Sequence, residues 1–241
     1  MIEIKGVSKV FGKDFYAVKD LSVTIKDGEI FGFLGPNGAG KTTTLKMMTG
    51  LSSLTTGQIL INGFDISEDS VEAKKQFGFV SDSPDVLLRL KGKEYLEFIA
   101  SVYKINKEEA KKKIVALADR FELTAALNDR ILSYSHGMRQ KLMIIGVLLH
   151  EPSNWILDEP LTGLDPKSAF TLKEMMREHA NKGHSVLFST HVLDVAEKIC
   201  DRIGIISKGR LIFVGTIDEL KENSKEDQTL EELFLELVNN A

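Results

Sequence analysis

Gly35-Pro36-Asn37-Gly38-Ala39-Gly40-Lys41-Thr42 carries the spacing G-x-x-x-x-G-K-[ST], the pattern of a loop that wraps phosphate. Glycines let backbone N–H groups converge on phosphate oxygens with no Cβ in the way. Lys41 adds a full positive charge, and the Thr42 hydroxyl suits a magnesium ion. The expected phosphate-binding set is Gly35, Asn37, Gly38, Ala39, Gly40, Lys41, Thr42 and Thr43. Apolar residues Ile30 to Leu34 precede the loop and Thr43 to Met48 follow it with helical character. A helix starting there points its positive end at the same anion.

Asn154-Trp155-Ile156-Leu157-Asp158-Glu159 is an apolar run ending in two acids. Adjacent side chains on a strand point opposite ways, so the two acids can take different tasks. Asp158 is expected to hold magnesium or its water, and Glu159 to act as general base on an attacking water. A third cluster is Tyr134-Ser135-His136-Gly137-Met138. Ser135 and Gly137 at a helix start form a second anion site, or Ser135 simply caps its helix; both can hold at once.

Several elements must position these groups. Ile2 to Val7, Ala17 to Ile25, Glu29 to Leu34 and Gln58 to Ile61 read as strands, with turns at Lys26-Asp27-Gly28 and Ile61-Asn62-Gly63. A helix is expected from Lys41 to about Thr49, stopped by Gly50. From about Pro84 to His150 the pattern is helical: Lys93 to Tyr103, a helix from an Asn106 cap to about Phe121, and a third from Gly137 to near His150. Lys111-Lys112-Lys113 reads as a solvated face because glutamates precede it. Strand and helix then alternate: Trp155 to Leu157, a helix opened by Asp165-Pro166 and running to about Asn181, Ser185 to Ser189, Leu193 to Cys200, and Ile203 to Ile206. Thr229-Leu230-Glu231-Glu232 is a capping box before the tail helix. The expected fold class is α/β, with a mostly parallel central sheet, an N-terminal antiparallel β subdomain and an inserted α-helical subdomain. Residues 1–241 read as one domain, with the helical subdomain at about 84–150 and a helical tail at about 216–241.

The bulk numbers exclude several classes. A net charge of -4 and a pI near 5.8 give no support to a nucleic-acid surface. The histidines show no metal-ligand spacing. The single cysteine, Cys200, excludes an internal disulfide and reads as a small core residue. The longest apolar run, Leu142 to Leu149, falls short of the ~18 residues a membrane helix needs, and Met1-Ile2-Glu3-Ile4-Lys5 is not a signal-peptide start. The expectation is a chain that does not cross a membrane by itself but can dock on one that does.

Taken in order, these motifs resemble the nucleotide-binding subunit of an ABC transporter over nearly the whole length. Gly35 to Thr42 matches the Walker A loop, and Leu157-Asp158-Glu159-Pro160 the Walker B strand. Leu161-Thr162-Gly163-Leu164-Asp165 resembles the D-loop, and Ser189-Thr190-His191 the switch histidine. Tyr134 to Met138 falls where the LSGGQ signature lies, and Phe11 where an aromatic ring stacks on adenine. Gly32 to Thr44 and Leu230-Glu231-Glu232-Leu233-Phe234 look most like single-cassette subunits of ABC-2 type exporters. The resemblance implies ATP with Mg2+, and a head-to-tail dimer with a second copy or a paralogous cassette. It also implies an integral membrane permease partner and a place on the inner face of the cell membrane. It gives His191 a γ-phosphate contact that positions the water, and gives Ser135 and Gly137 the γ-phosphate of the opposite subunit. For Phe11 a packed edge aromatic, and for His191 a simple helix cap, stand as the plainer readings.

Three residues depart from the family pattern. Asp82 stands where a glutamine usually lies; it is shorter, charged and unable to donate, so its expected place near the metal is altered. His136 replaces the first signature glycine, where a side chain is expected to crowd the phosphate, and Met138 replaces the usual glutamine. A soluble ATPase gating a ribosome- or DNA-associated process is the alternative from another class, and a different phosphate-loop enzyme such as a small-molecule kinase is a third.

Overall fold

A computed structural model describes residues 1–83, 87–222 and 229–240. Period-two alternation builds the first sheet. In β2 (Phe15–Ile25), Leu21, Val23 and Ile25 are buried while Ser22 and Thr24 face water. This strand pairs antiparallel with β1 (Ile2–Phe11), which pairs on its other side with β4 (Thr56–Ile61), followed by the short β5 (Phe64–Asp65).

The second sheet has the order β10-β9-β3-β8-β7-β6, formed by Arg210–Gly215, Arg202–Ser207, Ile30–Leu34, Ser185–Thr190, Asn154–Asp158 and Phe77–Val80. All neighbours are parallel except β10, an antiparallel edge strand. β3, β7 and β8 are buried at every position, as parallel strands covered on both faces must be. Leu34 pairs with Thr190, Asp158 with Ser189, and Val80 with Leu157. The C-terminal ends of four strands therefore meet at one edge, the edge where open α/β sheets bind ligands.

α1 (Lys41–Met48) follows β3 directly. Gly40, at φ +112°, makes the entry turn, and Gly50, at φ +70°, ends it. The helical insertion lies between β6 and β7 and holds α3 (Gly92–Val102), α4 (Lys107–Arg120) and α5 (His136–Leu148), preceded by the short α2 (Ser70–Lys75). Asn106 caps α4 by accepting from the Glu108 N–H at 2.9 Å, while Glu109 pairs with Lys113 at 2.8 Å. Lys113 also meets Glu151 at 3.1 Å, and Lys111 and Lys112 stay exposed, so the lysine run is a solvated face. The expected start of the lobe at Pro84 lies outside the described residues.

α6 (Pro166–Asn181) has the boundaries its Asp165-Pro166 start implies, and Asp165 accepts from the Ser168 N–H at 2.9 Å. α7 (Leu193–Ile199) precedes β9, and α8 (Ile217–Glu222) and α9 (Leu230–Asn240) form the described part of the tail. The Thr229–Glu232 capping box is made in both directions, at 2.9 and 3.2 Å. The 216–241 expectation extends over 223–228 and 241, outside the described residues. β5, α2 and β10 were not expected from the sequence, whereas α8 falls within the helical tail expected from about 216.

One apolar core joins the helical insertion to the sheet through Leu142, Ile145, Trp155 and Phe188; a second fills the space between the two sheets around Phe31, Leu45 and Ile59. A third seats Leu233 and Phe234 of the tail against Leu34 and Ile203. Cys200 is a packing residue: a methyl group at Gly32 would lie 2.6 Å from its sulfur, and burial pushes its thiol pKa up. Among the described residues no helix is long and apolar enough to cross a membrane.

Candidate nucleotide site

Gly35, Gly40 and the hairpin behind them shape the phosphate loop. A methyl group at Gly35 would lie 2.4 Å from the Ile206 carbonyl, and one at Gly40 2.6 Å from the Ala17 carbonyl. Only glycine permits this approach. Ala39 donates its N–H to Pro36 O at 3.1 Å and accepts from the Gly209 N–H at 2.9 Å. No side chain caps α1, so its first-turn amides face outward, the arrangement that favours an anion. Lys41, largely buried, donates to Gly35 O at 2.7 Å and Pro36 O at 3.3 Å. Burial lowers its pKa, while Glu159 and Asp158 act against that shift.

A cavity of about 620 Å³ opens over this loop. It collects Asn37, Gly38, Gly40, Lys41, Thr42 and Thr43 with Phe11, Asp82 and Glu159. Gly35 and Ala39 support the loop without lining the cavity. Phe11 is half exposed and sits opposite Phe15 across the β1–β2 hairpin. Phe15, Tyr16, Lys208 and Gly209 also line the cavity and were not expected from the sequence. The aromatic doublet Phe15-Tyr16 a few residues after Phe11 was a readable signal; the Lys208-Gly209 approach depends on contacts distant in sequence.

The two acids diverge, but strand alternation is not the cause. β7 ends at Asp158, and Glu159 takes a left-handed backbone at φ +46°. Asp158 is fully buried and its Oδ1 accepts from the Ser189 hydroxyl. That same hydroxyl accepts the Glu159 N–H at 2.9 Å, so Ser189 orients both acids. Glu159 Oε1 lies 3.7 Å from Lys41 Nζ and 3.0 Å from His191 Nδ1. His191 lines an adjoining cavity of about 300 Å³ that shares Glu159.

Asp158 Oδ2 is buried with no hydrogen-bond donor among the described residues. Burial raises the pKa of this carboxyl; Ser189 and Thr42 pull it down, and Asp82 and Glu159 push it up. A buried anionic oxygen without a donor, near a threonine hydroxyl and beside a phosphate cradle, fits a hard cation with oxygen ligands. Asp82 accepts from the Ser81 hydroxyl at 3.1 Å, lines the cavity, and acts on Asp158 through its charge. Among the described residues no group of three His, Cys, Asp or Glu side chains is placed to hold a metal. Magnesium here would rely on nucleotide oxygens and water for its remaining ligands, as is usual for this ion.

Ser135 and Gly137 do not line the cavity. Ser135 is exposed and caps α5, accepting from the Met138 N–H at 3.3 Å. A methyl group at Gly137 would lie 2.4 Å from Gly163 O, and one at Gly163 2.5 Å from the His136 ring. Thus His136 leans on Gly163 of the same chain. Lys141, mostly buried, meets Asp165 at 2.6 Å; it and the Ser168 N–H hold the Asp165 carboxyl well below the usual carboxylate range.

A family model described as ABC transporter matches residues 18–162. The chain is 39% identical over 231 residues to the uncharacterized ABC transporter ATP-binding protein YhcH of Bacillus subtilis strain 168, covering 95% of this chain and 73% of that protein. It is 37% identical over 244 residues to the probable multidrug ABC transporter ATP-binding protein YbhF of Escherichia coli K12, covering 100% of this chain but only 42% of YbhF. Among solved structures, an ATP-binding subunit of an ABC transporter superposes with a TM-score of 0.91 at 33% identity, covering 98% of each chain. A dimeric ATP-binding cassette in a post-hydrolysis state with ADP and Pi gives a TM-score of 0.82 at 25% identity, covering 90% of this chain and 99% of that one.

Proposed function

The chain belongs to the ABC transporter family of ATP-binding proteins, and from that membership and the site we propose that it hydrolyses ATP as one half of a head-to-tail pair driving a membrane export partner. The observation that carries the reading is the separation of Ser135 and Gly137 from the cavity that holds Lys41, Thr42 and Glu159. Two half-sites on one chain need a second cassette to complete them. The dimeric relative with ADP and Pi supports the pairing and the hydrolysis, and the multidrug name of YbhF supports export. The ribosome- or DNA-linked alternative finds no support among these relatives.

The residues have separable tasks. Lys41 exchanges its bonds to Gly35 and Pro36 carbonyls for phosphate oxygens, and the loop amides orient the triphosphate. Phe11 offers a face for the base. Thr42 and Asp158 would hold Mg2+, with Asp82 near by; the ion would neutralise phosphate charge. Glu159 accepts a proton from the attacking water. His191, whose Nδ1 lies 3.0 Å from Glu159 Oε1, contacts the γ-phosphate and positions the water. Ser135 and Gly137 bring their helix tip to the partner's γ-phosphate. ATP that touches both faces shifts the pair toward closure, and hydrolysis removes that bridge.

An apolar groove of about 410 Å³, lined by Leu51, Phe79, Tyr95, Ile99, Tyr103 and His150 among others, supports docking of a membrane partner's helical segment. It contains Phe77 and Phe79 of β6, the strand that leads to Asp82. Exposed Phe98 and Val102 lie on α3 beside it. The test of the enzymatic claim is Glu159→Gln. Magnesium-dependent turnover should fall by about 10²-fold or more while ATP binding persists; undiminished turnover rejects the assignment.

A further inference from the structure

We propose that Lys208 is a second cation for the nucleotide's phosphates, supplied by the β9–β10 turn. The inference rests on the cavity being the ATP site. Ser207 and Arg210 pair, so only Lys208 and Gly209 connect the strands. Both have left-handed backbones, at φ +46° and φ +76°. This is the two-residue hairpin geometry in which Asn, Asp or Gly is preferred at the first position. Seven other non-glycine residues among those described also have positive φ, Lys104 and Glu122 included, so the backbone alone assigns the side chain no task; its surroundings do.

The turn's surroundings indicate that task. The Gly209 N–H donates to Ala39 O of the phosphate loop at 2.9 Å, and Gly209 O accepts from the Lys19 N–H at 2.8 Å. A methyl group at Gly209 would lie 2.8 Å from Ala17 O. The hairpin is therefore wedged between β2 and the loop, and Gly209 cannot vary. Lys208 has that freedom. It lines the same 620 Å³ cavity as Gly38, Lys41 and Phe11. It is exposed, and among the described residues no acid pairs with it.

The chemistry points to phosphate rather than base. The backbone of this turn bonds to the phosphate loop, whereas Phe11, Phe15 and Tyr16 supply the apolar wall. An ammonium on a flexible four-carbon stem acts as a point charge, and a di- or triphosphate presents several anionic oxygens. Lys41, buried beneath the loop, serves from below; Lys208 serves from the solvent side, where it also raises local anion concentration.

Lys208→Asn separates the two roles of the residue, because asparagine suits the turn better and carries no charge. ADP and ATP affinities, measured by calorimetry at low and high salt, should fall about 3- to 10-fold at low salt and less at high salt. The Tm of the nucleotide-free protein should hold or rise, and Lys208→Arg should keep near-normal affinity. Unchanged affinity for Lys208→Asn at low salt overturns the proposal and leaves Lys208 a turn residue. Lowered affinity accompanied by a lowered Tm also overturns it, since the loss then belongs to the fold. If the unaltered chain binds no ATP, the cavity assignment itself fails; if it binds ATP and Lys208→Asn does so equally, only Lys208 is wrong.

Discussion

Ser189 shows how one residue can govern a site it never enters chemically. Its hydroxyl donates to Asp158 and accepts from the Glu159 backbone, fixing one acid in the interior and turning the other into the cavity. Ser189→Ala leaves a buried carboxylate oxygen and a part-buried N–H without these partners. Such losses cost about 1–3 kcal/mol. Urea unfolding should show that loss, and kcat should fall more than ATP affinity, since Lys41 and the loop are untouched. A variant with unchanged stability and kcat would contradict the assignment. The phosphate loop, both acids and His191 were legible because their types and order are dense in chemistry. Ser189's bridge was not, because it depends on the register that sets Asp158 beside Ser189 across β7 and β8. Glu159 faced the expected way for a reason the sequence hides, a left-handed backbone after the strand has ended.

At the scale of elements, α5 and α6 are clamped by the loop between Pro160 and Asp165. Gln140 donates to Pro160 O at 3.4 Å, Gly137 abuts Gly163, and Lys141 meets Asp165. Asp165 both caps α6 and balances a buried lysine. Asp165→Asn keeps a good cap but removes the charge; Asp165→Ala removes both, with the lost cap alone worth about 0.5–2 kcal/mol. Thermal denaturation should rank wild type above Asp165→Asn and that above Asp165→Ala; equal Tm values would show that the clamp contributes nothing. The start of α6 was legible to the residue because an N-cap and a first-turn proline are local signals. α2 was not, since six residues with only Ala73 buried show no period. β10 was missed because Ile212 and Phe213 are only partly buried on an edge strand and Lys208-Gly209 is an uncommon turn pair.

The whole molecule is organised so that parallel strands deliver Gly35, Asp82, Glu159 and His191 to one edge, while the insertion between β6 and β7 carries Ser135 away from it. One chain holds the phosphate-loop cavity and, elsewhere, the Ser135-capped tip of α5. Residue types alone could place both motifs but not their separation, which only the family resemblance implied by giving Ser135 and Gly137 to the opposite subunit. In the proposed pair, linkage makes the separation useful, because a ligand that bridges two copies binds the closed pair better than the open one. Sedimentation of the Glu159→Gln chain with saturating magnesium and ATP tests this most directly. The account predicts a dimer that dissociates when ADP replaces ATP and that Lys41→Ala abolishes; a chain that binds ATP yet stays monomeric contradicts it.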